Sequence, residues 1–172
     1  VRMNLVRIDL PTNVSNNLSN ESIVRALNDH LPIGAVALKS SKSNPDSKVR
    51  YAYKRQYLYL LESIEEWPIE SDPQLPTLVC SLFEGQHDFS NFCRLERETD
   101  PIRTVDSCIP WFSQDGRMIG FSICARSFVW NQVRRIANAM LSVITKYRTI
   151  ERVLEARDNP QTEIDLGLSE PD

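Results

Sequence analysis

The stretch FSICARSFVWNQVRRIANAMLSVITKY, residues 121–147, contains the two apolar patterns that decide the fold. Its first part alternates as a β-strand does, with Phe121, Ile123 and Ala125 on one side. Its second part changes to the period of a helix. The apolar stripe of that helix contains Val133, Ile136, Ala137, Met140, Leu141 and Ile144. The sequence therefore predicts a strand that leads into a helix with one buried face.

Two arginines lie in the first turns of this predicted helix. At about 100° per residue, Arg135 lies opposite the apolar stripe, so we expect it to be exposed to solvent. Arg134 lies at the edge of the stripe, where its side chain can lean over the end of the sheet. The residues alone leave two interpretations open for Arg134: a cation at the rim of a cleft, or an ordinary arginine on an amphipathic helix.

The rest of the chain predicts an α+β fold. Strands are predicted over 103–112 and 117–126, joined by Ser113-Gln114-Asp115-Gly116, because Asp-Gly between alternating runs is typical of a hairpin. Shorter strands are predicted at 1–10 and 35–38. Helices are predicted over 21–31, 77–84, 131–147 and from Thr149 to about 158, and the tail from Asn159 is predicted to be a polar loop. We expect one domain over residues 1–172, with a mostly antiparallel sheet covered on one face by the first three helices.

Basic residues are concentrated in two zones, although the net charge of the 172 residues is −3. Residues 117–157 contain eight Lys or Arg and two Glu, and residues 39–55 contain six Lys or Arg and one Asp. Two basic zones on an acidic protein indicate a surface that binds a polyanion, although charges can also cluster by chance on solvated faces. The candidate RNA-binding residues are Lys48, Arg50, Lys54, Arg55, Arg126 and Arg135.

The segment RYAYKRQYLYLL, residues 50–61, contains a stripe of tyrosines. If it is extended, Tyr53, Arg55, Tyr57 and Tyr59 share one face with Tyr51, and Leu58 and Leu60 share the other. Tyrosines beside an arginine suit the stacking of unpaired bases. Tyrosine is also common in the packed faces of ordinary sheets, so core packing stays open as an alternative for each ring.

Other classes of site find little support in the residues. The four widely spaced cysteines, at positions 80, 93, 108 and 124, predict buried, reduced thiols of a cytoplasmic protein. No apolar run approaches 18 residues, so we expect no association with membranes. His30 and His87 are far apart and have no metal-ligand spacing, so no metal site is predicted. Gly-rich phosphate loops and Ser-His-Asp order are missing from the sequence.

Three segments resemble the TruA-type tRNA pseudouridine synthases: FEGQHDFSNF at 83–92, IRTV at 102–105 and SFVWNQVRRI at 127–136. LNDHLPIGAVAL at 27–38 and KRQYLYLL at 54–61 resemble the same family in the same order. The resemblance covers nearly the whole chain and corresponds to the C-terminal part of the catalytic region. It is closer to the archaeal and eukaryotic branch than to the bacterial one.

The resemblance implies a reaction and a set of roles. Members of the family isomerise uridine to pseudouridine in tRNA around the anticodon stem-loop, with a flipped-out target base, no cofactor and no metal. The arginine that pairs with the catalytic aspartate corresponds to Arg134, and the tyrosine that stacks on the uracil corresponds to Tyr57, with Tyr59 as the alternative. The resemblance also implies tRNA as the partner, a homodimer and a cytoplasmic location.

One departure from the family pattern concerns the catalytic aspartate. The family places it in an Arg-Thr-Asp-x-Gly motif, and this chain contains none. Arg103-Thr104-Val105-Asp106 differs, because its aspartate comes one position too late and no glycine follows. We therefore expect the chain to be a C-terminal fragment of a longer synthase and to be inactive alone. The alternative is a catalytically inactive RNA-binding module of the same ancestry.

Overall fold

The computed structural model of the protein describes residues 6–44, 46, 52–61 and 74–169. Backbone contacts divide the chain into two compact units, a smaller one over Asn4–Tyr51 and a larger one whose body is Ala52–Asp172. The two units are described separately below. None of the helices in the described ranges is long and apolar enough to cross a membrane.

Among its described residues, the smaller unit contains two short helices, α1 over Thr12–Asn17 and α2 over Asn20–Asn28. The hydroxyl of Ser19 caps α2 by accepting a hydrogen bond from the backbone N–H of Ser22 at 3.2 Å. The helix α1 was not predicted, because its polar residues are also typical of a loop. Both elements lie in a unit that is poor in buried residues.

For the described residues of the smaller unit, the predictions of two strands and of a buried helix face are wrong. Residues 6–10 have no strand structure, and Val6 is 73% exposed, while residues 1–5 lie outside the described ranges. Ile23 and Leu27 are only half-buried, and Leu31 is exposed. The predicted strand at 35–38 is irregular, because its backbone pairs with a side chain instead: the Asn28 amide donates to Ala37 O at 3.1 Å and accepts from Ala37 N–H at 2.7 Å.

The larger unit is built on a four-stranded sheet. Its strands are β1 (Arg55–Leu60), β2 (Gly85–Asp88), β3 (Ile102–Phe112) and β4 (Met118–Ala125), in the spatial order β1-β4-β3-β2. Every neighbouring pair is antiparallel. This arrangement, together with the helices described next, confirms the predicted α+β class.

The β3–β4 hairpin closes where the sequence predicts. The backbone N–H of Ser113 donates to Arg117 O at 2.8 Å, and that of Gly116 donates to Ser113 O at 3.0 Å. Gly116 has a φ of +84°, which glycine adopts without a steric penalty. The edge strand β2 was not predicted, because four mainly polar residues carry no alternating pattern.

The described part of the larger unit contains three α-helices: α3 (Gln74–Ser81), α4 (Gln132–Ile144) and α5 (Ile150–Asp158). Helix α3 begins and ends earlier than predicted, whereas α4 lies inside its predicted range. The Thr149 hydroxyl caps α5 by accepting from Arg152 N–H at 3.4 Å. All three helices thus follow the predicted type, with boundaries that differ by a few residues.

The core lies between one face of the sheet and the helices α3 and α4. Phe121, Ile123, Ile136 and Met140 are completely inaccessible to solvent. Helix α3 packs against β3 and α4, and the Cys80 thiol lies 3.6 Å from the sulfur of Met140. On the opposite face of the sheet Leu58 is 38% and Ile109 53% exposed, so the apolar packing is concentrated on the helical side.

The segment HDFSNF, residues 87–92, contains a short helical turn. A single 3₁₀ turn spans Ser90–Phe92, and the rings of Phe89 and Phe92 are fully buried. The buried amide of Asn91 donates to Ala156 O at 2.8 Å and accepts from Ile164 N–H at 3.0 Å. Asn91 therefore ties this turn to α5 and to the C-terminal segment, which explains a polar residue among aromatic ones.

All four cysteines are free thiols, as predicted. Three of them are buried, and Cys124 is half-buried. A hydrogen bond with the neighbouring Cys80 and burial both raise the pKa of the Cys108 thiol above its ordinary value. Cys108 therefore stays protonated at neutral pH and behaves as a small apolar residue.

Candidate functional site

The structure distinguishes between the two candidate tyrosines on β1. Tyr59 lies opposite Phe121 in the sheet, stacks on its ring at 5.5 Å and is only 9% exposed. Tyr57 is half-buried, and its ring packs against that of Phe128 in a T-shaped contact, with ring centres 5.3 Å apart and an interplanar angle of 85°. Tyr53 is exposed, and Tyr51 lies outside the described residues. Of the two candidates, Tyr57 stays partly exposed at the border of the core, whereas Tyr59 is part of the core.

A tight turn connects β4 to α4 and places Phe128 beside Tyr57. Asn131 adopts a left-handed conformation with a φ of +63°, which asparagine tolerates better than most residues. The side-chain carbonyl of Gln132 accepts from Val129 N–H at 2.9 Å, and Gln132 N–H donates to Val129 O at 3.1 Å. Gln132 is 1% exposed, so this turn is fixed from inside the protein.

Arg134 follows this turn by two residues and is half-buried. Its Nε–H donates to the backbone carbonyl of Ser169 at 2.8 Å. Its two terminal nitrogens make no hydrogen bond to any of the described residues. A guanidinium keeps its charge at all physiological pH values and presents a planar fork to an anion. Arg134 is therefore held at one nitrogen and can still bind an anion through the other two.

Arg135 differs from the sequence expectation, because it is not free in solvent. Its Nη1 lies 3.0 Å from a carboxylate oxygen of Asp165, its side chain is 24% exposed, and its Nε is buried. The expectation of full exposure is wrong because residues 164–169 fold back along this face of α4, which helical periodicity cannot reveal. A hydrogen bond from the Gly167 N–H and the pairing with Arg135 lower the pKa of Asp165, so its carboxylate stays ionised at neutral pH.

The remaining RNA-binding candidates fall into different environments. Lys54 lies 3.2 Å from a carboxylate oxygen of Asp106, and this hydrogen bond raises the pKa of Lys54. Arg55 donates from Nη1 to the backbone carbonyl of Arg126 at 3.0 Å, and Arg126 itself is exposed. Lys48 and Arg50 lie outside the described residues. Because the basic zone 39–55 continues across both units, its position relative to 117–157 stays a prediction.

Two aromatic contacts at this site were not predicted from the sequence. The rings of Phe128 and Tyr57 pack in a T-shaped contact, and Trp130 is 51% exposed with the guanidinium of Arg94 at 4.5 Å from its ring centre. The pattern Phe-Val-Trp places the buried Val129 between two aromatic residues, which is a detectable signal. An exposed tryptophan beside an arginine can stack on a base.

The described residues contain no group of three or more His, Cys, Asp or Glu side chains that could hold a metal ion. His87 lies within the segment 83–92 that resembles the family, and its Nε2 makes a 2.7 Å hydrogen bond with the backbone carbonyl of Glu84. Its role is therefore local, in the turn between α3 and β2.

The larger unit thus contains a partly exposed tyrosine on the sheet and an arginine near the start of a buried helix, which are residue types that can contact an unpaired base and an anionic group. A sequence model described as tRNA pseudouridine synthase matches residues 79–166. The chain therefore belongs to the tRNA pseudouridine synthase family. Membership confirms the resemblance seen in the motifs.

Individual relatives agree with this assignment. A protein named tRNA pseudouridine synthase A from Methanocorpusculum labreanum is 32% identical over 124 residues, which are 72% of this chain and 42% of that protein. A protein of the same name from Pyrobaculum calidifontis is 33% identical over 138 residues, which are 75% of this chain and 49% of that protein. A third protein of this name, from Dictyoglomus thermophilum, is 29% identical over 157 residues, which span 84% of this chain and 63% of that protein. The chain thus spans roughly half of the length of these relatives.

Proposed function

We propose that the full-length protein isomerises uridine to pseudouridine in the anticodon stem-loop region of tRNA, in the cytoplasm. In this reaction the N1–C1′ bond of uridine breaks, a C5–C1′ bond forms, the hydrogen on C5 is released as a proton, and N1 takes up a proton from solvent. The observation that carries the proposal is the family match over residues 79–166, which includes Arg134. The named relatives are called tRNA pseudouridine synthase A, which supports tRNA as the substrate.

In this proposal Arg134 pairs with the catalytic aspartate, and Tyr57 stacks on the target uracil. The terminal nitrogens of Arg134, which bond to none of the described residues, suit a carboxylate, and the partly exposed Tyr57 suits a base. This chain contains no Arg-Thr-Asp-x-Gly sequence, so we expect no turnover from these 172 residues alone. A homodimer, which the family resemblance implies, stays a prediction.

Binding of RNA through phosphates predicts a strong dependence on salt. If Z phosphates are engaged, log K should fall linearly with log salt at a slope of roughly −0.7Z to −0.9Z. Arg126→Ala removes one exposed cation, so it should weaken binding to all tRNAs alike. The slope of log K against log salt should become shallower by the contribution of about one phosphate. Fluorescence anisotropy with two unrelated tRNAs at several salt concentrations measures both quantities.

The matched control for this experiment is Arg97→Ala. Arg97 is also exposed but lies outside both basic zones. The Arg97→Ala variant should have the same affinity for tRNA, and the same slope of log K against log salt, as the unaltered protein. Affinity that does not respond to salt, or an equal loss from both variants, would count against phosphate binding by residues 117–157.

The stacking role of Tyr57 predicts different effects of two substitutions in the full-length protein. Tyr57→Phe keeps the ring and should keep most of the substrate interaction. Tyr57→Ala should lose about 1–3 kcal/mol of it. The measurement is kcat/KM for pseudouridine formation, with Tyr147→Ala as a control, because Tyr147 is exposed at the end of α4. Equal activity of the Tyr57→Ala and Tyr147→Ala enzymes would assign the stacking to another ring.

A further inference from the structure

The C-terminal segment 164–169, called the strap below, is irregular in structure but firmly packed. Ile164 is 3% and Leu166 1% exposed. The backbone carbonyl of Leu166 accepts two side-chain hydrogen bonds, one from the Asn138 amide and one from Arg148 Nη1 at 3.0 Å. Both donors belong to α4 or the turn that follows it, so the strap lies along the helix that carries Arg134.

The end of the strap contacts Arg134 twice. The Ser169 carbonyl accepts from Arg134 Nε–H at 2.8 Å, and the Ser169 N–H donates to the backbone carbonyl of Arg134 at 3.4 Å. The Ser169 hydroxyl also donates to the side-chain oxygen (Oδ1) of Asn138 at 3.5 Å. Ser169 is 9% exposed, so its contacts are sheltered from water.

Gly167 allows this close approach. Its φ is +86°, and a β-carbon added there would lie 2.6 Å from the Asn138 amide nitrogen. That nitrogen is the one that holds the Leu166 carbonyl. A side chain at position 167 would therefore displace Asn138 and release the strap two residues before Ser169.

We propose that the strap is a positioning element for Arg134, and that it selects the edge of the guanidinium that binds the anion. An arginine can bind a carboxylate or phosphate through Nε and one terminal nitrogen, or end-on through both terminal nitrogens. Because Ser169 occupies Nε, the end-on edge is the one that remains. Asn138, Gly167 and Ser169 are then positioning residues for the reaction, and this role rests on the proposed function.

The first experiment examines the strap without any assay of catalysis. Solvent exchange of each arginine Nε–H is measured by NMR in protein labelled with ¹⁵N-arginine. The Nε–H of Arg134 should exchange at least tenfold more slowly than that of exposed Arg97. Gly167→Ala should bring the two rates together. Gly116→Ala is the matched control, because Gly116 has nearly the same φ, +84°, but open space around its added β-carbon.

The second experiment measures pseudouridine formation by the full-length protein. A misplacement of about 1 Å can cost on the order of 10²-fold in rate. Gly167→Ala and Asn138→Asp should therefore lower kcat by about that factor and leave the KM for tRNA nearly unchanged. Asn138→Asp preserves the shape of the side chain but removes the donor to Leu166. Gly116→Ala should keep kcat within about twofold.

The two experiments separate failure of the strap from failure of the proposed function. Rapid exchange of the Arg134 Nε–H in the unaltered protein, or no change in Gly167→Ala, would overturn the positioning role. So would a rise in KM with unchanged kcat. If the unaltered full-length protein forms no pseudouridine, the proposed function fails, and the exchange rates still decide whether the strap holds Arg134.

Discussion

Arg134→Ala in the full-length protein is expected to abolish pseudouridine formation while tRNA still binds. The guanidinium is half-buried and held at Nε, so it is pre-oriented for an anionic partner. Removing one member of a fully buried ion pair costs about 3–5 kcal/mol, because the other charge stays uncompensated. Arg134 is only half-buried, so this range is an upper limit; it corresponds to about 10²- to 10⁴-fold in rate.

The Arg134→Lys variant should also lose most of its pseudouridine formation, because an ammonium group cannot reproduce the planar fork or the hydrogen bond from Nε to Ser169. Arg97→Ala, which removes an exposed arginine outside both basic zones, should have normal kcat and KM. The assay is pseudouridine formation on tRNA as a function of tRNA concentration. Turnover near normal in the Arg134→Ala enzyme would show that the active site lies elsewhere.

Phe121→Ala is expected to have the largest effect on stability. Phe121 is completely buried in β4 and stacks on Tyr59 with ring centres 5.5 Å apart. Removing a buried phenylalanine side chain typically costs about 3–5 kcal/mol, through lost burial and the cavity left behind. Since domains of this size are stable by about 5–15 kcal/mol, the variant should be marginally folded.

The control for this prediction is Phe112→Ala, on the neighbouring strand. Phe112 is 39% exposed, so its removal should cost much less free energy of unfolding. Urea titrations followed by circular dichroism give both values. A loss below about 1 kcal/mol for Phe121→Ala, or equal losses for the two variants, would contradict the placement of the core between β4 and the helices.

The central features of the larger unit could be predicted because local pattern and tertiary packing agree there. The alternation at Phe121, Ile123 and Ala125 matches a strand with one buried face, and Asp115-Gly116 meets the backbone needs of the hairpin turn. The period of α4 likewise places Ile136 and Met140 in the core. In these segments the residues at each position favour a single local structure.

Prediction was less successful where packing depends on distant partners. Alternation in residues 6–10 resembles a strand, but a strand needs a neighbour to satisfy its backbone, and none pairs with these residues in the described part of the smaller unit. Strand β2 forms because β3 is long enough to pair with it, which its own four residues do not indicate. The strap was missed because two apolar residues, Ile164 and Leu166, lie in a mainly polar tail.

The candidate site was predicted in part. Helix periodicity predicts Arg135 in solvent, but Arg135 is half-buried and pairs with Asp165 of the folded-back strap, which a helical pattern cannot show. The tyrosine stripe was visible in the sequence, whereas the choice between Tyr57 and Tyr59 depends on the stacking of Tyr59 on Phe121 across two strands. The roles of Tyr57 and Arg134 in catalysis stay predictions.

The most direct test of the proposed function is release of tritium from tRNA labelled at C5 of uridine. Forming the C5–C1′ bond expels the C5 hydrogen, so an isomerase must release tritium into water, whereas a protein that only binds RNA cannot. The full-length protein should release tritium in a one-to-one ratio with the pseudouridine formed. Tight, salt-dependent binding of tRNA without tritium release would contradict the proposed activity and support an inactive RNA-binding module.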